Sequence, residues 1–309
     1  MITIFKNIEN ELRRIPEPVS GCWINVVNPT PEEISHIHSL GIPHDYITYP
    51  LDLDERARTE RENGDLLIVL RVPYFQGEAS DVPYSTVPLG IILRDQYLVT
   101  VCKLENEILQ SLTNGRGREL ITAKRLRFVL RLLLTTSNKY LSYLREINKR
   151  VDILEDELQQ STRNKEVLGL LKYQKSLTYF TTALKSNELM MERLRRSRLF
   201  ETYPEDEDLL EDVLTENQQA IEMTNITSNI LSSMMDAFAS IISNNLNTVM
   251  KFLASITIVL SLPTIIASFF GMNVHIPFEE HNLAFLIIIG ITFLIGLVAV
   301  YIFWKRDWF

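Results

Sequence analysis

Residues 252–270 read FLASITIVLSLPTIIASFF, and residues 283–304 read LAFLIIIGITFLIGLVAVYIFW. Neither stretch contains an Asp, Glu, Lys or Arg residue. An α-helix rises about 1.5 Å per residue, so about 20 apolar residues cross the hydrocarbon core of a bilayer. The two stretches therefore predict two transmembrane helices and a multi-pass protein in a lipid bilayer.

The charges that flank these stretches predict their orientation. Lys251 precedes the first stretch, and a basic tail at 305–309 follows the second. The connecting residues 271–282 contain Glu279 and Glu280 but no Lys or Arg. Because Lys and Arg concentrate on the cytoplasmic side, we expect both termini to be cytoplasmic in a cell membrane, with the connection outside.

The composition excludes several classes of function. The chain carries 39 acidic and 31 basic side chains, and such an acidic chain is a poor nucleic-acid binder because phosphate contacts need clustered Lys and Arg. Cys22 and Cys102 are isolated, so we interpret them as packing residues in a reducing compartment. The five histidines are scattered, and no hydrolase or ATP-binding motif occurs. The sequence predicts neither an enzyme nor an organic cofactor.

Residues 1–118 alternate strand and helix signals and predict a cytoplasmic α/β domain. Residues 23–27 are typical of a strand, and Thr30-Pro31 then give a helix N-cap with proline at the first helical position. Runs of β-branched and aromatic residues predict three further strands, at 66–72, 89–93 and 97–102.

Residues 119–203 show a helical period, with apolar residues recurring three, four or seven apart. This pattern predicts a cytoplasmic helical hairpin whose second helix runs over about 166–198. Its acidic side chains between 152 and 157 are expected on the solvent-exposed face.

A third helix is predicted to begin at Pro204, where a proline precedes acidic residues that favour a helix N-terminus. No further Gly or Pro occurs before Pro263, so this stalk helix should span 204–270 and become the first transmembrane helix at about 252. Its uninterrupted part would be about 87 Å long at about 1.5 Å per residue. Such a helix could couple cytoplasmic events mechanically to the membrane.

One face of the stalk helix is polar or small through the whole bilayer. At 100° per residue, ten side chains fall within an arc of about 120°. We call this set the polar stripe: Asp236, Ser240, Ser243, Asn247, Met250, Ala254, Thr257, Ser261, Thr264 and Ser268.

The polar stripe has two interpretations. Small polar residues permit tight helix packing in membranes. Alternatively, the stripe lines a water-filled path. Because two helices cannot enclose such a path, several copies must then surround it as a symmetric ring.

The chemistry of the polar stripe indicates which ion such a path would carry. Within the bilayer it offers neutral oxygen ligands and no thiolate, which disfavours soft metals. Mg²⁺ releases its waters reluctantly, so rings of Asn, Ser and Thr oxygens suit a cation that passes largely hydrated. Glu279 and Glu280 would attract cations to the outer mouth.

The tripeptide Gly271-Met272-Asn273 follows the first predicted span, and the tail 305–309 reads KRDWF. With the two C-terminal spans, the long helix and the α/β domain, this arrangement resembles the CorA family of magnesium transporters over essentially the whole chain. The resemblance implies a funnel-shaped homopentamer that transports Mg²⁺ and also binds it for regulation.

The resemblance further implies roles for individual residues. Asn273 of each subunit would form the outer selectivity ring, and Gly271 and Met272 would shape the turn that presents it. Three further rings would lie deeper in the pore. Asp236 would form an acidic ring, Asn247 a ring of amides, and Leu253 a hydrophobic constriction.

Thr264 and Pro263 also fit the family pattern. Ser261 departs from it, because well-known members carry a pore-narrowing methionine at that position. We therefore expect closure to depend more on Leu253.

The resemblance also implies regulation by Mg²⁺ bound between the cytoplasmic domains of neighbouring subunits. The register from Gly-Met-Asn places Asp212 at the stalk position of that site. Thr48 and Tyr49 stand where an acidic pair is expected on the α/β domain, so Asp52 and Asp54, which follow closely, are the candidates.

Together these features predict a channel or transporter for passive, membrane-potential-driven Mg²⁺ uptake, with Co²⁺ and Ni²⁺ as further candidate ions. Two alternatives stay open. One is a related transporter that prefers Zn²⁺ or another transition metal, and the other is a membrane-anchored coiled-coil protein that transports nothing. Ion competition separates the first alternative, and a flux measurement separates the second.

Overall fold

The computed structural model describes residues 1–9, 11–113, 121–160, 164–200, 203–272, 283–306 and 308. Its internal contacts divide the chain into two compact units, Met1–Met234 and Met235–Phe309. Asn273, Glu279 and Glu280, which the sequence assigns to the outer mouth, lie outside the described residues.

The first unit contains a seven-stranded mixed sheet, in the order β2-β1-β3-β7-β6-β5-β4. The pairing of β3 with β7 is parallel, and the other pairings are antiparallel. The strands are β1 (Ile2–Ile8), β2 (Glu11–Ile15), β3 (Cys22–Val27), β4 (Arg58–Glu62), β5 (Asp65–Phe75), β6 (Tyr84–Leu93) and β7 (Tyr97–Cys102).

Helices cover both faces of this sheet, because the strands alternate two sets of apolar side chains. Ile24, Val69 and Val99 belong to one core with the short helices α1 (Pro31–Ser39) and α2 (His44–Thr48). Trp23, Ile68 and Leu98 belong to the other core. On that side pack α3 (Glu107–Thr113), α4 (Arg125–Gln160), α5 (Asn164–Arg196) and the first turns of α6 (Pro204–Phe270).

Local rules account for several of these elements. Thr30 Oγ1 accepts the Glu33 N–H at 3.3 Å, and Glu33 Oε2 accepts the Thr30 N–H at 3.0 Å, so α1 begins with the predicted N-cap. Cys22 and Cys102 are both free and buried, as predicted for packing residues.

The helices α4 and α5 form an antiparallel pair. Leu154 lies beside Gly169, and the rings of Tyr140 and Phe180 meet edge to face with centroids 5.0 Å apart. Asn187 of α5 is fully buried and bonds the backbone of Arg71 in β5. The helical pair is thereby fastened to the sheet.

The second unit contains the later part of α6 and the helix α7 (Ala284–Lys305). The most apolar windows of α6 and α7 have mean hydropathies of 2.1 and 2.9. Only 6% and 0% of those windows is buried, so these are not the core helices of a water-soluble domain. Their length and exposed apolar surface fit two membrane spans.

Candidate functional site

One face of α6 is less exposed than the rest of the helix within the second unit. Ser255 is fully buried and donates its hydroxyl to the Lys251 carbonyl at 2.7 Å. Val259, Leu262 and Ile266 are partly buried and follow at helical spacing.

A groove of about 830 Å³ separates the two helices beside this face. Pro263 and Phe270 line it from α6, and Ile288 and Gly296 line it from α7. Its walls are apolar, which suits hydrocarbon rather than an ion.

The polar stripe lies on nearly the opposite side of α6. Its bilayer members are centred about 160° from this less exposed face and about 120° from the side of α6 that lines the groove, at 100° per residue. Thr257, Thr264 and Ser268 are exposed, and Ser261 is partly exposed. Within a single chain, therefore, α7 does not cover these polar groups.

Three hydroxyls in the membrane part of the stripe already have acceptors for their protons. Thr257 Oγ1 donates to the Leu253 carbonyl at 2.8 Å, and Ser261 Oγ donates to the Ile258 carbonyl at 2.9 Å. Thr264 Oγ1 donates to the Leu260 carbonyl at 3.3 Å. A hydroxyl that donates inward keeps acceptor lone pairs, so the stripe can accept hydrogen bonds from the water shell of a cation.

Three further predicted pore residues are exposed on the same helix. Asp236 and Asn247 would add a carboxylate and an amide to the N-terminal end of the stripe. Leu253 is 52% exposed at the edge of the stripe, where repetition in several chains would form an apolar ring.

The helix α6 ends at the predicted tripeptide. The Gly271 N–H donates to the carbonyls of Ala267 and Ser268 at 3.0 and 3.2 Å, which closes the last turn. Met272 follows with 52% of its surface exposed. Gly271 and Met272 thus place the chain just past the end of the span, and Asn273 follows outside the described residues.

The predicted regulatory residues lie in the first unit. Asp212, Asp52 and Asp54 are all exposed. The Asp54 N–H donates to Asp52 Oδ1 at 3.1 Å. Arg71 donates to the carbonyls flanking Asp54, which are Leu53 O at 2.5 Å and Glu55 O at 3.0 Å. This loop is therefore held in place by a cation from β5.

In the described part of the chain, no three His, Cys, Asp or Glu side chains converge on a possible metal position. Asp212 is accordingly not brought together with Asp52 and Asp54 into a complete site.

A match to known proteins identifies the family. Residues 20–306 match the family described as "CorA-like Mg2+ transporter protein". The chain belongs to this family. The cobalt/magnesium transport protein CorA of Methanocaldococcus jannaschii is 26% identical over 297 residues, which cover 93% of this chain and 90% of that protein.

Solved structures of similar proteins confirm the predicted CorA fold, with a sheet-containing domain, a long helix and a C-terminal helix. The complete CorA magnesium transporter from M. jannaschii aligns with a TM-score of 0.85 at 24% identity, covering 100% of this chain and 99% of that one. The full-length CmaX protein aligns with a TM-score of 0.74 at 17% identity, covering 100% and 97%.

One contact of this CorA-family chain could not be inferred from its sequence. Arg127 at the start of α4 binds two acids in the first turn of α6, with Nη2 2.8 Å from Glu205 Oε2 and Nε 2.6 Å from Asp206 Oδ1. The sequence indicated only a helix start for these acids. Arg127 lies 79 residues before Asp206, and no local pattern connects them.

Proposed function

We propose that this chain forms a ring of identical subunits that conducts hydrated Mg²⁺ passively across a membrane. The observation that carries this proposal is the neutral polar face of α6 on the side away from α7. Polar groups that face hydrocarbon are costly, so this face needs water or another polar partner in the bilayer. A central pore supplies both.

A ring follows from the number of spans. Two helices cannot surround a water-filled path, but copies of α6 arranged about a symmetry axis can. The family resemblance supports five copies, with α6 inside and the apolar surface of α7 toward lipid. Asp236, Asn247, Thr257, Ser261, Thr264 and Ser268 would then each form a ring around the axis.

The ligands of the pathway favour a hard, hydrated cation. Residues 252–270 contain no charged side chain, so hydroxyls are the only polar side-chain groups that can face the ion there. Mg²⁺ dehydrates reluctantly, and recognition through its water shell fits such ligands. Because a similar protein is named a cobalt/magnesium transporter, Co²⁺ is a second expected cargo.

At the outer mouth, Asn273 would contact the hydrated ion, and Glu279 and Glu280 would raise the local cation concentration. With both termini in the cytoplasm, a negative-inside potential drives uptake. Moving one charge through 100 mV is worth about 2.3 kcal/mol, so a divalent cation gains about 4.6 kcal/mol.

Regulation by the transported ion would use the cytoplasmic carboxylates. Asp212 of one subunit, with Asp52 and Asp54 of its neighbour, would repel one another at a subunit boundary. A bound Mg²⁺ relieves that repulsion and favours the closed ring, whereas its loss favours opening.

A flux assay tests the proposal. The purified full-length chain is reconstituted in liposomes that contain a Mg²⁺-sensitive dye, and a negative-inside potential is applied. Mg²⁺ entry is expected in the parent and is expected to be lost in Asn273→Ala. Asn282→Ala, which removes another amide from the same connection, serves as the matched control and should conduct.

The other outcomes have defined meanings. No flux in the parent would support the membrane-anchor alternative. Equal flux in the Asn273 and Asn282 variants would remove the selectivity assignment. Entry of Zn²⁺ in preference to Mg²⁺ in a competition series would support the transition-metal alternative. Mass measurement of the detergent-solubilised complex tests the five-fold stoichiometry.

A further inference from the structure

A cavity of about 770 Å³ in the first unit is not used by the proposed transport mechanism. Five segments of the chain form it. They are the hairpin of β4 and β5, the end of β6 with the turn after it, the start of α4, Leu199 just after α5, and the start of α6. No short sequence motif marks the cavity, because these segments are far apart along the chain.

The lining of this cavity is basic, although the whole chain has a formal net charge of −8. Five cationic side chains line it: Arg61, Arg94, Lys124, Arg125 and Arg127. Three acids line it: Asp95, Glu205 and Asp206. The cations outnumber the acids, so the lining as a whole attracts anions.

Part of this charge already has structural partners. Arg94 binds Asp65 at 3.2 Å and the Gly41 carbonyl, and Arg125 donates to the Arg94 carbonyl. Arg127 binds Glu205 and Asp206.

Two cationic side chains of the lining remain available to bind an anion. Arg61 and Lys124 are exposed, and neither has an ion-pair partner among the residues that the structure describes. They lie on different segments, β4 and the residue before α4, and both border the same cavity.

The backbone of α4 adds to the attraction for an anion. The residues before Phe128 precede the first intrahelical bond, in which the Phe128 N–H donates to the Lys124 carbonyl at 2.9 Å. The first N–H groups of a helix have no intrahelical acceptor, and they carry the positive end of the helix dipole. This effect supplements the side-chain charges and does not define the site alone.

The remaining walls of the cavity are apolar and include one aromatic ring. Leu66, Leu93, Leu126 and Leu199 line it, together with Tyr203, which is 60% exposed. A bare phosphate would satisfy the cations and leave these walls unused. A ligand that fits the whole cavity combines an anionic group with a flat, largely apolar ring.

We propose that this cavity binds a nucleoside polyphosphate. Arg61, Lys124 and the start of α4 hold the phosphates, and the base lies against Tyr203 and the leucine walls. The volume is in the range of cavities that bind molecules of this size. The site is separate from the ion pathway, so it does not depend on the transport proposal.

Calorimetric titration of the full-length chain in detergent with ATP, in the presence of EDTA, tests this site. The test variant is R61A/K124A, and the matched control is R145A/K149A. The control removes one Arg and one Lys that are exposed on α4 and do not line this cavity. We expect ATP binding to weaken roughly tenfold or more in the test variant, which corresponds to about 1.4 kcal/mol or more, because charge-assisted hydrogen bonds to phosphate are lost. Binding to the control should remain unchanged.

A second comparison tests the base. Tyr203→Ala should weaken ATP binding and leave the binding of inorganic triphosphate unchanged. Elution volume and thermal unfolding verify that each variant is folded.

The proposal is overturned by any of three results. These are no saturable ATP binding, equal affinity in the two double variants, or triphosphate binding as tight as ATP with no effect of Tyr203→Ala. The last result would indicate a simple anion site. Binding is measured without ion flux, so these results are distinguishable from a failure of transport.

Discussion

Ser255 and Thr257 lie on nearly opposite sides of α6, although only one residue separates them. Ser255 is 0% exposed, whereas Thr257 is exposed. Two residues correspond to a rotation of about 200°, so one side chain lies on the least exposed side of the helix and the other points away from it. The proposed pore depends on this relationship, because the side of α6 with Thr257 is exposed in the single chain and is therefore open to a polar partner.

Thiol accessibility tests which side of α6 is wet. Thr257→Cys is expected to react with a membrane-impermeant cationic thiol reagent in proteoliposomes and to lose flux after reaction. Ile258→Cys is the matched control, because Ile258 is also exposed, lies at the same depth and points about 100° away. The parent protein serves as the unreactive control, because its two cysteines, Cys22 and Cys102, are both buried.

Two outcomes would count against a pore along this face. Equal reaction of the cysteines at 257 and 258 would indicate a helix surrounded by water. Reaction of neither would indicate that the polar stripe packs tightly between helices.

The apolar ring at Leu253 is predicted to hold the pathway closed. In Leu253→Ala the constriction is wider and wets more easily, so Mg²⁺ leak at high internal Mg²⁺ should rise. We expect a rise of about tenfold, which corresponds to a barrier lowered by about 1.4 kcal/mol. The matched control is Leu294→Ala, at an exposed leucine of α7. If the Mg²⁺ leak of Leu253→Ala equals that of the parent, another ring of side chains closes the pathway.

The parts of the fold that could be predicted from the sequence obey local rules. A long charge-free run predicts a span without reference to the rest of the chain, and Pro204 is indeed the first residue of α6. The strand β4, by contrast, reads RTERE and has no apolar pattern. Its pairing with β5 makes it a strand, and that pairing is a long-range property.

The same distinction applies to the candidate site. The polar stripe could be predicted because helical periodicity is local. Its position away from α7 could not, because that depends on how two helices pack. The edge strand β2, with sequence ELRRI, and the contact of Arg127 with Asp206 were missed for the same reason.

Asp212 is predicted to set the internal Mg²⁺ concentration at which flux stops. Asp212→Asn weakens the bridging of carboxylates between subunits, so half-maximal closure should need more Mg²⁺. A shift of roughly fivefold or more is expected for a coupling of about 1 kcal/mol or above. Dose-response curves of flux against internal Mg²⁺ measure it. Asp208→Asn, at an exposed acid one turn earlier, should leave the curve in place.

Glu107 is predicted to contribute stability that is lost in acid. The hydrogen bond from Lys139 is the main cause that lowers the pKa of this carboxyl from its ordinary 4.5, and Tyr143 adds to the shift. A lowered folded-state pKa stabilises the fold above pH 4.5, and that stability disappears as the pH falls through the folded value.

Glu107→Gln should therefore lower the melting temperature at neutral pH, with a difference that shrinks in acid. Glu105→Gln is the control, at a neighbouring exposed acid. A difference that persists unchanged below pH 4.5 would assign the effect to packing instead of charge.

Among the polar residues that attach α5 to the sheet, Asn187 is predicted to lower the free energy of unfolding most when it is removed. Its Oδ1 accepts the Arg71 N–H at 2.9 Å, and its Nδ2 donates to the Arg71 carbonyl at 2.8 Å. The last pair of β4 with β5 is Arg58 with Val69, so Asn187 bonds the backbone of β5 beyond the end of β4.

Asn187→Ala leaves the Arg71 N–H buried without a partner, while the Arg71 carbonyl keeps its bond from the Tyr140 hydroxyl at 3.0 Å. We expect a loss of about 2–4 kcal/mol in the free energy of unfolding, since the unsatisfied N–H costs about 1–3 kcal/mol and the second lost hydrogen bond about 1 kcal/mol. Denaturant unfolding followed by circular dichroism measures the loss. Lys185→Ala, at an exposed position on the same helix, should change it by less than about 0.5 kcal/mol. Equal effects of the two substitutions would show that the backbone of Arg71 finds another partner, and that α5 is held by its apolar contacts alone.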